Sequence, residues 1–209
     1  MKLIAHAAVF SLVSIAASCA GSVRGDIDGN SIPTFYDAAL GGIEDRNTDA
    51  FLLVGYNLPG DSCKDGAELF SAFGDAEDDH ADTINDLVPV GDWQTQLLLS
   101  GSTFRDLENE TYDLSDDDNE VEIQLSFCLQ KRDAEADDDG LDFGNECYLA
   151  DSGDLTFELS DDESQLKVFS DGDIDVIDAD GDDVGEVTVD ITFKGCDALT
   201  DEVKDLFEL

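Results

Sequence analysis

Positive charge is scarce in this chain: Lys and Arg number 10 against 52 Asp and Glu in 209 residues, a formal net charge of −42. A field of that sign repels phosphodiesters, which excludes nucleic acid as a partner and direct adsorption on an anionic membrane. Histidine is rarer still, with only His6 and His80. Imidazole is the usual acceptor of a nucleophile's proton, so triad-type catalysis has almost nothing to work with. The five cysteines never occur as Cys-x-x-Cys, which argues against zinc. No long repeat is present either.

What remains is enough to fold. Hydrophobic residues make up 42% and aromatics 8%, so the acidity does not by itself imply disorder. Of the 52 acids 38 are Asp, a residue of turns and caps rather than of strand or helix interiors, which suits a loop-rich β protein. A folded chain of this mass exposes roughly 9,000 Å². Its 52 acids then sit about 13 Å apart, beyond the Debye length of about 8 Å at physiological salt. At about 0.01 M salt screening extends to roughly 30 Å and the whole surface repels itself. A protein that prefers salt or divalent cations is expected.

Lys2 followed by the apolar run Leu3–Ile15 and small residues reads as a leader, too short to cross a bilayer. Ile15-Ala16-Ala17-Ser18-Cys19 resembles the lipobox of bacterial lipoproteins, with Ala16 in place of the usual Leu. The resemblance covers only the leader. It implies a signal peptide over 1–18, cleavage before Cys19, a lipid on Cys19 as membrane anchor, and, with Ala20 next, an outer-membrane location. Ordinary cleavage after Ser18-Cys19-Ala20 is the alternative, giving an extracellular chain. Residues 19–209 form one acidic β domain in this reading.

Either route leaves Cys63, Cys128, Cys147 and Cys196, and four cysteines in an exported chain suggest two disulfides. Cys128 ends one strand-like run and Cys147 begins the next, so these two pair naturally and Cys63 with Cys196 follows.

The clearest strand is Val187–Lys194: Val187, Val189, Ile191 and Phe193 face one way and Thr188, Asp190, Thr192 and Lys194 the other. Strands are also expected over 22–28, 93–99, 112–114, 155–159, 166–169 and 174–177. Ala50–Tyr56, apolar on both faces, reads as a central strand, whereas 34–40 is ambiguous. In 121–129, Val121, Ile123, Leu125, Phe127 and Leu129 point one way and Glu122, Gln124, Ser126 and Cys128 the other. Asp61 and Ser62 can cap a helix over 63–74 with Leu69, Phe70 and Phe73 inward. A second helical piece covers 77–87, Lys131–Gly140 reads as a charged loop, and Thr200 as the cap of a short terminal helix. The fold class is mainly β: an antiparallel sandwich or barrel-like meander, one or two short helices near 63–87, and a short C-terminal helix.

Candidate chemistry is sparse. Gly60-Asp61-Ser62 resembles the nucleophile block of the Gly-Asp-Ser hydrolases, but that family's histidine comes late in the chain and nothing after His80 can serve. Ser62 is read as a turn and cap residue, and His80, among Glu77, Asp78 and Asp79, as a surface residue. Carboxylates are so abundant that no pair is informative. Asp178, Asp180 and Asp182 fall at positions 1, 3 and 5 of an EF-hand-like loop, with Asp183 where that pattern has Gly and Val189 where it has Glu. Asp26–Asn30 opens similarly, but Ser31 and Asp37 break the pattern. Neither is an EF-hand; weak Ca²⁺ binding at Asp178, Asp180, Asp182 and Asp183 is the most that follows.

The expectation is therefore a secreted or envelope-anchored lipoprotein, not an enzyme, with a binding or structural role towards an unidentified protein or small molecule. Two other classes stand beside it: an Asp-rich Ca²⁺- or mineral-binding protein using 173–183 and 133–139, and a carboxylate hydrolase on a β-sandwich.

Overall fold

The computed structural model describes residues 21–32, 37–45, 50–58, 60–74, 80–101, 107, 110–116, 118–119, 121–137, 140–160 and 164–206. The strands are β1 (Gly21–Ile27), β2 (Asn30–Ser31), β3 (Asp37–Asp45), β4 (Ala50–Leu58), β5 (Trp93–Gly101), β6 (Glu110–Asp113) and β7 (Val121–Gln130). They continue with β8 (Glu135–Asp137), β9 (Gly140–Asp142), β10 (Asn145–Ser152), β11 (Asp154–Leu159), β12 (Gln165–Ser170), β13 (Ile174–Ile177) and β14 (Asp183–Gly195). Among the described residues there are three helices, α1 (Ser62–Gly74), α2 (His80–Leu87) and α3 (Asp197–Leu206). None is long and apolar enough to cross a membrane among the described residues.

The strand with the cleanest alternation is the hub. β14 pairs with β1 and β3 along one edge and with β12 and β13 along the other. Its inward set, Val187, Val189, Ile191 and Phe193, is buried. From β14 the sheet runs through β3, β4, β5, β7 and β10 to β13, which pairs back onto β14 and closes a seven-strand ring. β12, β11 and β6 extend from the other part of β14, and β1 with β2 lies on its opposite edge. All pairings are antiparallel except β14 with β3, parallel through Lys194↔Ala39 and Gly195↔Leu40.

Two cores result. Inside the strands, Val23, Trp93, Leu97, Phe127, Phe157, Val168 and the inward β14 residues form one buried cluster. On the far side of β3 and β4 the three helices bury a second, in which Val54, Tyr56 and Leu58 meet Leu69, Ile84, Leu199 and Val203. β4 is apolar on both faces because it separates the two cores. Contact across each is close. A Cβ on Gly55 would lie 2.8 Å from the Phe193 ring, and one on Gly41 would lie 2.6 Å from the Leu199 side chain.

Both disulfides join parts that the chain brings together. Cys63 in the first turn of α1 is bonded to Cys196 between β14 and α3, and Cys128 of β7 is bonded to Cys147, its direct partner on β10.

Four local expectations change. Thr200 does not cap the terminal helix: α3 starts at Asp197, the amide of Leu199 donates to Cys196 Sγ, and the Thr200 hydroxyl accepts from the Gly42 amide. Residues 131–140 are not only loop, since β8 and β9 pair as a small sheet. Asn85 holds that hairpin by bonding both the amide and the carbonyl of Ala134. β7 does not keep one wet face along its length, because Ser126, Cys128 and Gln130 are buried as well as Leu125, Phe127 and Leu129. Of the ambiguous 34–40 stretch, residues 34–36 lie outside the described residues and 37–40 open a nine-residue strand that runs on through Gly41-Gly42, where Leu199 leaves Gly41 no room for a side chain.

Candidate functional site

Ser62, the serine of the Gly-Asp-Ser block, is buried, and its Oγ accepts a hydrogen bond from the Leu58 amide at 3.0 Å. It fastens the end of β4 to the start of α1. Asp61 is the cap: its carboxylate accepts from the amides of Cys63 and Lys64, both at 3.2 Å. His80 opens α2; the acids before it lie outside the described residues.

The Asp178–Asp183 segment joins β13 to β14. Asp178 Oδ1 accepts from the amides of Asp180 at 2.9 Å and Asp182 at 3.0 Å, and Asp183 Oδ1 accepts from the Gly185 amide at 3.2 Å. These carboxylates are engaged in shaping their own turn, as Asx turns do. At the second EF-hand-like opening, Asp28 and Gly29 have φ of 50° and 70° and form the two-residue turn of the β1–β2 hairpin. Among the described residues no group of three or more His, Cys, Asp or Glu is placed to hold a metal ion. Of the surface 133–139, residues 138 and 139 lie outside the described residues.

Acids do converge elsewhere. Asp26 on β1, Glu186 on β14 and Asp175 on β13 stand directly opposite one another in one row across three strands, all exposed. Ser31 donates to Asp26 and Ser152 to Asp175. The row has the electrostatics of mutual repulsion.

A concavity of different character lies on the outer face of β4, β5 and β7, beside α1. It is a cavity of about 240 Å³. β4 supplies Val54 and Tyr56, β5 supplies Gln96, Leu97 and Leu98, β7 supplies Gln124 and Ser126, and α1 adds Phe70. Strand register explains the convergence, because Tyr56↔Gln96↔Ser126 form one row and Val54↔Leu98↔Gln124 the next. β10 carries the first row on to Leu149. The helix sits close above: a Cβ on Gly66 would be 3.3 Å from the Tyr56 side chain.

Three properties set this groove apart. Its lining has no charged residue, in a chain of net charge −42. Two of the large exposed hydrophobics, Leu98 at 39% and Leu149 at 37%, are in or beside it. And among the described residues no hydrogen bond claims the side chains of Tyr56, Gln96, Gln124 or Ser126. Burial pushes the Tyr56 phenol well above the usual tyrosine range, so it stays a neutral donor. One pleat further along β5, Gln94 is buried with its Oε1 unpartnered.

Sequence reasoning did not single out these residues. Gln124 and Ser126 fall on the polar side of their strand and Gln96 has no reading of its own; the one signal available is the adjacency of Leu97, Leu98 and Leu99, which puts apolar groups on both faces of β5. No family model, curated protein or solved structure matches the chain.

Proposed function

We propose that the chain is a non-enzymatic binding domain, exported and held in the cell envelope by a lipid on Cys19, which engages its ligand through the α1–β4–β5–β7 groove. The observation that carries the reading is the uncharged lining with four unclaimed polar side chains on a strongly acidic protein. Binding sites are commonly concave and mostly apolar, with a few convergent polar groups. Two disulfides suit an oxidising compartment. A lipid on Cys19 keeps the domain close to the bilayer, because β1 begins at Gly21 and two extended residues span about 7 Å.

Mass spectrometry of the mature chain tests the anchor: a diacylglyceryl Cys19 terminus is expected, and a free chain beginning at Gly21 would overturn it. Amide chemical-shift mapping with a set of neutral fragments tests the binding face. Shifts should gather at Gln96, Leu98, Gln124 and Ser126; shifts confined to the Asp26–Glu186–Asp175 row would count against the groove.

A further inference from the structure

We infer that the groove takes a neutral saccharide ring, either a single sugar or one unit of a longer glycan; this rests on the reading of the groove as the binding face. Charge decides first. The surrounding field disfavours anions, and a cation would find no carboxylate in the lining. A neutral ligand remains.

Topology decides next. A peptide bound by strand addition needs a free sheet edge. β4, β5 and β7 each have neighbours on both sides, so the groove offers only side chains. Its volume of about 240 Å³ is below the roughly 300–1,000 Å³ of pockets for drug-sized ligands, which is too small for a docked helix and suits one ring.

Lining chemistry then separates a sugar from a plain apolar molecule. Gln96 and Gln124 each offer amide donors and an acceptor, Ser126 a hydroxyl, and Tyr56 a neutral phenol. Hydroxyls on a ring satisfy such a set in both directions. Phe70 and Leu98 provide apolar surface for the C–H face of the same ring. An apolar molecule would bury those polar groups without partners, at a cost that opposes binding.

The test titrates the isotope-labelled mature chain with methyl glucoside, glucuronate and cyclohexanol. Methyl glucoside is expected to shift the amides of Gln96, Leu98, Gln124 and Ser126 saturably. Glucuronate should bind on the order of tenfold more weakly at low salt, the gap narrowing as salt rises. Gln124→Leu, at an exposed position, should weaken methyl glucoside about tenfold with the melting temperature unchanged. Equal affinity for glucuronate and methyl glucoside at low salt, or an unaffected Gln124→Leu, would overturn the saccharide assignment. So would binding of cyclohexanol in place of the sugar, although the groove would then stand as a binding face. If none of the three shifts the groove, both readings fail.

Discussion

Tyr56 and Tyr148 are the two described groups whose ionisation the fold opposes most strongly. Burial raises both phenols; at Tyr148 the negative charges of Glu146 and Asp28 act in the same direction. The unfolded chain ionises its tyrosines near pH 10 while the folded one keeps these two protonated. The stability that these two phenols contribute is therefore fully present below about pH 10 and is lost as pH rises above it. An absorbance titration should show these two of the four tyrosines ionising only together with unfolding. Joint ionisation of all four in an intact fold would contradict the placement of both rings. Asp142 shows the opposite case, held below the usual carboxylate range by the hydrogen bond from Arg132 and then by the Gly144 amide.

At the scale of elements, the Asp26–Glu186–Asp175 row sets like charges directly opposite each other, a destabilising arrangement that screening relieves. Glu186→Gln relieves both contacts, so its melting temperature should exceed that of the parent, by more at 10 mM than at 1 M salt. A lower value at both salts would show that Glu186 stabilises the row. The disulfides rank by the loops they close. In the chain-entropy model the 133-residue separation of Cys63–Cys196 is worth about 5 kcal/mol and the 19-residue separation of Cys128–Cys147 about 3 kcal/mol. Paired Ser substitutions, followed by urea unfolding, should preserve that order. β14, β4 and the capped start of α1 were legible because each shows in the local sequence: alternation in β14, a run apolar on both faces in β4, and a capping carboxylate at Asp61. The outer face of β7 and the role of Thr200 were not, since alternation tells which residues share a face but not what arrives to cover it. The groove was hidden for the same reason: nothing in the strand pattern says that Phe70 of α1 arrives beside Gln96, Gln124 and Ser126 to make them a lining.

Over the whole molecule, the acids gather away from the groove beside α1, and some of them line a depression of their own between Asp26, Asp173, Asp183 and Glu186. Acids fill the turns, where Asp178 and Asp183 brace their own backbone, and they crowd the β1–β14–β13 face. The α1 side of the sheet keeps one patch free of them. A net charge of −42 also predicts a melting temperature that rises between 10 mM and 1 M sodium chloride, as screening shortens from roughly 30 Å to about 3 Å. Equal values would show that the fold already spaces its acids enough to need no screening.

The proposed binding face is the uncharged groove. Gln124→Trp tests it most directly, because an indole at that exposed position fills the cavity without entering either core. Saturation-transfer NMR on the parent and on this variant, with the same neutral ligands, should show the ligand signals lost in the variant at an unchanged melting temperature. Signals that persist with the groove filled would contradict the account.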